Sequence, residues 1–138
     1  MSDALIVAGP LRFRARFEDV LAPKSCALLR TLLPLEANIL QARWSGQAAW
    51  VPLGERNLPL PSECATVYPA PGQVLLYPGG VSETELLFAY GPTRFASKAG
   101  DLAGNHVLTI VEGLEQLAEL GNLVLWKGAQ SLRISLDT

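Results

Sequence analysis

Ten prolines and twelve glycines punctuate this 138-residue chain from end to end, and that spacing restricts what it can become. Proline stops a helix and glycine weakens one, so the runs between them suit short strands joined by tight turns. The clearest run has Leu11, Phe13, Ala15 and Phe17 alternating with Arg12, Arg14, Arg16 and Glu18. A period of two predicts a strand with one face in a core and the other in water. The three arginines then form a solvated face, which also discourages pairing with a foreign edge.

Further strands are expected over residues 36–44 and 47–53 around a Ser45-Gly46 turn. Others are expected near 64–68, 74–77 and 84–90, then over 105–111, 123–126 and 131–136. Pro69, Pro71-Gly72 and Pro78-Gly79-Gly80 separate the middle ones. Two segments have a helical period instead. Between residues 23 and 33, Cys26, Leu29 and Leu33 line up with Leu28 and Leu32, and Pro34 ends the run. Over 114–120, Leu114, Leu117 and Ala118 share a face, and Gly121 can close the turn. Residues 54–62 and 91–104 read as loops, the second long enough to suggest function. This mostly β pattern, with two short helices, predicts a closed barrel whose open ends the helices cover.

Composition supports one domain over 1–138: 49% hydrophobic and 17% charged residues suffice for a packed core. A formal net charge of −2 creates no field that would attract nucleic acid or an anionic membrane. The start offers only a short apolar run, Ala4 to Ala8, led by Asp3. It lacks the basic start of a signal peptide and the length of a span, so a cytoplasmic location is expected. Cys26 and Cys64 read as buried free thiols. With one histidine, His106, and no ligand-spaced cluster, no metal or other cofactor is implied. Ser45 or Ser82 could join His106 and Asp101 in a triad, but no nucleophile elbow is present. Gly79-Gly80 lacks the lysine of a phosphate loop.

The last third carries a family resemblance. Leu102-Ala103-Gly104-Asn105-His106-Val107, then Val111-Glu112-Gly113-Leu114-Glu115, resembles the cyclophilin run Leu-x-Gly-x-His-Val and Val-x-Glu-Gly-Met. Glu85-Leu86-Leu87-Phe88-Ala89 stands where cyclophilins carry Gln-Phe-Phe-Ile. Ala42-Arg43-Trp44-Ser45-Gly46 with Trp50, the run Tyr68 to Gly72, and Tyr90-Gly91 are similar to a bacterial group of small cyclophilin-like proteins, the DUF3830 type. The resemblance covers most of the chain and implies a cyclophilin-like barrel. It implies function poorly, because one fold hosts unrelated chemistries.

Prolyl isomerisation must lower an amide barrier of roughly 18–20 kcal/mol. Cyclophilins meet this with an arginine, an aromatic pocket floor, a glutamine, a tryptophan and a histidine. By the resemblance Arg43 matches the arginine and His106 the histidine. Glu85 replaces the glutamine, Leu87 the phenylalanine and Asp101 the tryptophan. Loss of one preorganised donor costs about 2.7–4 kcal/mol of transition-state stabilisation, so weak or absent isomerase activity is expected.

The favoured expectation is a surface pocket for a small anionic or amide-bearing molecule. Arg43 would hold charge and His106 would exchange a proton or hydrogen bond, making these two the catalytic candidates. Trp44, Tyr90, Phe95 and Asn105 would complete the ligand-binding set. Residual isomerisation of proline peptides is the first alternative. The second is a non-catalytic module that assembles with a partner or itself. The sequence carries no signature that separates catalysis from binding.

Overall fold

The computed structural model describes residues 2–137, so Met1 and Thr138, the ends of the expected 1–138 domain, lie outside the described residues. In chain order the elements are β1 (Ala4–Ala8), β2 (Leu11–Phe17), α1 (Pro23–Thr31), β3 (Leu35–Gln41), β4 (Gly46–Pro52) and β5 (Ala65–Thr66). They continue with β6 (Gln73–Tyr77), β7 (Glu85–Thr93), β8 (Ala96–Ser97), β9 (Gly100–Asp101), β10 (Gly104–Glu112), α2 (Leu117–Asn122) and β11 (Gln130–Leu136).

The sheet runs β2-β1-β11-β3-β4-β7-β6-β10, and β10 pairs back onto β2. Eight strands therefore close into a barrel, with β5 as a short addition to β10. Closure leaves these eight strands no open edge, and alternate side chains fill the interior. Ladder partners stack there in rows, such as Ile134-Ile6-Phe13 and Val51-Leu86-Leu76. Two helices complete this core. From α1 come Cys26 and Leu29, and from α2 come Leu117 and Leu120. The Arg30 guanidinium lies 4.0 Å from the Phe17 ring centroid and donates to both Asp19 oxygens, which ties α1 to the end of β2. No helix among the described residues is long and apolar enough to cross a membrane.

Three expectations shift for physical reasons. Ala4–Ala8 is a barrel strand whose alternation is masked, because the outward Leu5 and Val7 are apolar too. Residues 123–126, expected as a strand, instead extend α2 as a π turn closed by Gly128 N donating to Leu123 O. Gly121, expected to close the helix, instead lies buried inside α2 against Tyr90, so the helix runs on into the apolar run, of which only Val124 is buried. Segment 91–104 is not one loop: β7 runs to Thr93, and β8 and β9 form a small hairpin.

Candidate functional site

Strands β4, β6 and β7 are apolar on both faces, so their outer face must also be covered. Outward residues align across four strands as Trp50-Leu87-Leu75-His106. Segment 94–103 folds over this row and inserts Phe95 and Leu102, forming a second core with Ala42, Ala48, Leu75, Tyr77 and Leu87. Phe95 meets Tyr77 edge-to-face, with ring centroids 5.9 Å apart. Gly104 permits this approach: a Cβ there would stand 2.8 Å from Leu75 Cβ and 3.2 Å from Phe95 Cε2. Ser45, 3% exposed, staples the cover to the β3–β4 turn. Its hydroxyl donates to Ala96 O at 3.2 Å and accepts from Ala96 N at 3.0 Å.

Where the cover stops, a cleft of about 440 Å³ opens beside β3, β4 and β7. That volume is enough for a small organic ligand. The β3–β4 turn presents Arg43 and Trp44, β4 presents Trp50, and the β8–β9 turn presents Lys98. Ser82, just before β7, and Glu85, its first residue, add polar groups, as do Gln41, Ser45 and Ser97. Gly46 makes the turn feasible through its φ of 89°, which a side chain would strain. Arg43 stacks on Trp44, with Cζ 5.3 Å from the ring centroid. Neither Arg43 nor Lys98 enters an ion pair among the described residues.

Glu85 is the unusual group in this cleft. It faces outward in phase with Leu87, is 6% exposed, and among the described residues has neither a cation nor a hydrogen-bond donor stabilising its charge. Burial pushes its carboxyl up to about 8, and the nearby Glu83 adds to the effect. An acid of this kind is protonated near neutral pH and can donate a hydrogen bond or exchange a proton. Its sequence signal is a carboxylate inside a run, Glu85 to Ala89, that is buried on both faces.

The residues singled out from the sequence fall into separate places. Arg43 and Trp44 line the cleft. His106 sits at the far end of the row from Trp50, three strand spacings or about 14 Å across the sheet. Sequence phase would align His106 with Leu108 and Ile110. A bulge between His106 and Leu108 breaks that phase, sending Leu108 inward with Ile110 while His106 shares the face of Leu75. The imidazole Nε2 lies 2.9 Å from Thr109 Oγ1, whose hydroxyl donates to Glu18. Burial pulls the imidazole below its usual range, while the Glu18 charge opposes this.

Asn105 serves a network beneath α1. Its amide donates to Ser25 Oγ at 2.8 Å and Pro61 O at 3.0 Å, and its Oδ1 accepts from Glu63 N at 3.0 Å. Glu63 in turn accepts from the backbone N–H and hydroxyl of Ser25. Tyr90 is half-buried against Gly121 of α2 and donates to Gln41 Oε1 at 2.6 Å. Phe95 is 1% exposed within the second core. Ser45 is engaged in its staple, Asp101 pairs with Arg94 at 2.8 Å, Ser82 lines the cleft and the His106 ring meets Thr109, so among the described residues none of the triad candidates hydrogen-bonds to His106.

A second hollow of about 440 Å³ lies along β1, β2 and β11 and includes Arg12, Arg14 and Arg133. Two of these arginines are already neutralised, Arg14 by Asp3, Glu112 and Asp137, and Arg133 by Glu36. The first cleft, whose cations and acid have no ionic partner among the described residues, is the better candidate.

Comparison with known proteins agrees with this architecture. No curated protein sequence matches the chain. Among solved structures, one described as McbB in complex with tryptophan superposes with a TM-score of 0.77 at 20% identity. The match covers 97% of this chain and 44% of McbB, so this chain spans less than half of that protein's length. At that identity the likeness speaks for the fold, a cyclophilin-like barrel. The family model described as protein of unknown function (DUF3830) matches residues 5–136, nearly the whole chain, and the protein belongs to that family.

Proposed function

We propose that the outer cleft binds a small, flat molecule bearing a carboxylate or amide. The carrying observation is the pairing of unneutralised Arg43 and Lys98 with Trp44 and Trp50 around one cleft. The tryptophans offer stacking surface, and a guanidinium already resting on an indole presents its fork to a carboxylate. The tryptophan complex of McbB, on a similar barrel, supports an aromatic amino acid or relative as a first probe. Phe95 and Leu102 fill the outer groove between Trp50 and His106, which argues against a prolyl-peptide site there.

Thermal shift with indole-3-propionate tests this reading. At about 100 times its dissociation constant a ligand adds about 2.7 kcal/mol. In a domain of this size the melting temperature then rises by roughly 5–20 °C. Arg43→Ala and Trp50→Ala should each remove most of the rise. No shift with this probe or with related aromatic carboxylates and amides, together with elution as a stable complex, would favour the interaction-module reading.

A further inference from the structure

Resting on that reading, we infer that Glu85 is the seat for an amino group, so the cleft takes ligands that carry an amine as well as a carboxylate. Charge is distributed along the cleft in a way that suits such a molecule. Glu85 pairs with Pro52 at one end of β4. The turn that carries Arg43 lies beside Ala48, whose carbonyl accepts from Ala42 N. Four residues of strand, about 13 Å, separate these levels. Trp50 lies between them as an apolar wall. The cations Arg43 and Lys98 therefore sit toward one end, while Glu85 sits at the other with Glu83 beside it in sequence.

The other groups around Glu85 leave it available. Tyr77, its ladder partner on β6, uses its hydroxyl oxygen to accept from Val81 N and Ser82 N. Glu83 accepts from Gly54 N at 3.0 Å. Arg56, in the loop after β4, donates to Leu53 O at 2.8 Å. None of these supplies a counter-charge to Glu85, and a buried carboxyl without one is costly to ionise. An entering ammonium provides it. Below the pH at which Glu85 ionises in the empty cleft, the carboxylic acid then gives its proton to solvent, and a carboxylate–ammonium pair forms. A ligand arriving as the neutral amine takes the same proton directly. No other bond is made or broken.

Calorimetric titration of the full chain with three probes tests this. Tryptamine has the amine alone, indole-3-propionate the carboxylate alone, and L-tryptophan both. In buffers of different ionisation enthalpy at pH 7, tryptamine and L-tryptophan should release close to one proton per site. Their affinity should fall up to about tenfold for each pH unit below 7. Indole-3-propionate should show neither effect. Glu85→Gln, which keeps the shape but cannot ionise, should remove both effects. If indole-3-propionate binds and the amines bind without proton release, the amino seat is wrong and the carboxylate cleft stands. Amine binding whose proton release survives in Glu85→Gln overturns the assignment to Glu85. If none of the three binds, the cleft reading itself fails.

Discussion

Replacing Glu85 by glutamine should change how stability depends on pH, whether or not any ligand is present. A free glutamate titrates near 4.5, whereas burial pushes this one up to about 8 in the folded protein. Between those values the folded state holds a proton that the unfolded state has lost. Stability conferred by the neutral acid is thus complete below pH 4.5 and is lost progressively as pH rises to about 8. Each pH unit in that window costs about 1.4 kcal/mol, so the loss reaches about 3 kcal/mol by pH 7 and up to about 5 kcal/mol by pH 8. Water entering the open cleft lowers these figures. Above pH 8 the carboxyl is ionised in both states and the curve flattens. The neutral glutamine has no such slope. Other groups contribute to the wild-type profile, among them His106, whose lowered value makes stability rise through the range near pH 6.5. They remain in the variant and cancel in the difference. Urea unfolding of both proteins at pH 5 to 9 should give free energies that coincide near pH 5 and diverge in favour of Glu85→Gln up to pH 8. Parallel profiles, or a gap that opens in the opposite direction, would refute the claim that this carboxyl is buried without a partner.

Two further outcomes concern residues outside the cleft. Asn105→Ala removes the acceptor for Glu63 N and the donor to Ser25 Oγ and Pro61 O. It should cost about 1–3 kcal/mol of unfolding free energy and leave indole-3-propionate affinity unchanged; a selective loss of affinity in the folded variant would move Asn105 into the binding site. Cys26 is fully buried, its thiol is pushed up to about 11 by burial, and it donates to Val107 O, whereas Cys64, expected to be buried, is exposed. A chromogenic disulfide reagent should therefore titrate one thiol rapidly in the native protein and the second only on unfolding.

Several features were legible in the residues alone because they rest on local rules. Alternation in β2, the proline-led α1 and the glycine-marked turns each follow from backbone geometry and from which side chains avoid water. Barrel closure was also anticipated, since many short strands without a long helix bury their edges best that way. Arg43 and Trp44 stood out as a cation beside an aromatic at the end of an expected strand; the structure ends that strand at Gln41 and puts both residues in the β3–β4 turn, where they line the cleft.

What escaped the sequence depends on contacts between distant segments. A one-residue bulge in β10 decides which face His106 takes, and no local pattern announces it. The cover formed by 94–103 turns Phe95 from a surface aromatic into a core residue and leaves the groove beside His106 filled. Glu85 gains its unusual proton affinity only because the folded structure removes water, on the outer face of the sheet, from an acid that the chain places in an apolar strand. Composition and periodicity fix which side chains can be buried. The tertiary structure alone determines which polar group is buried with them and left without a partner, because burial is a property of what packs over a residue and not of its neighbours in the chain.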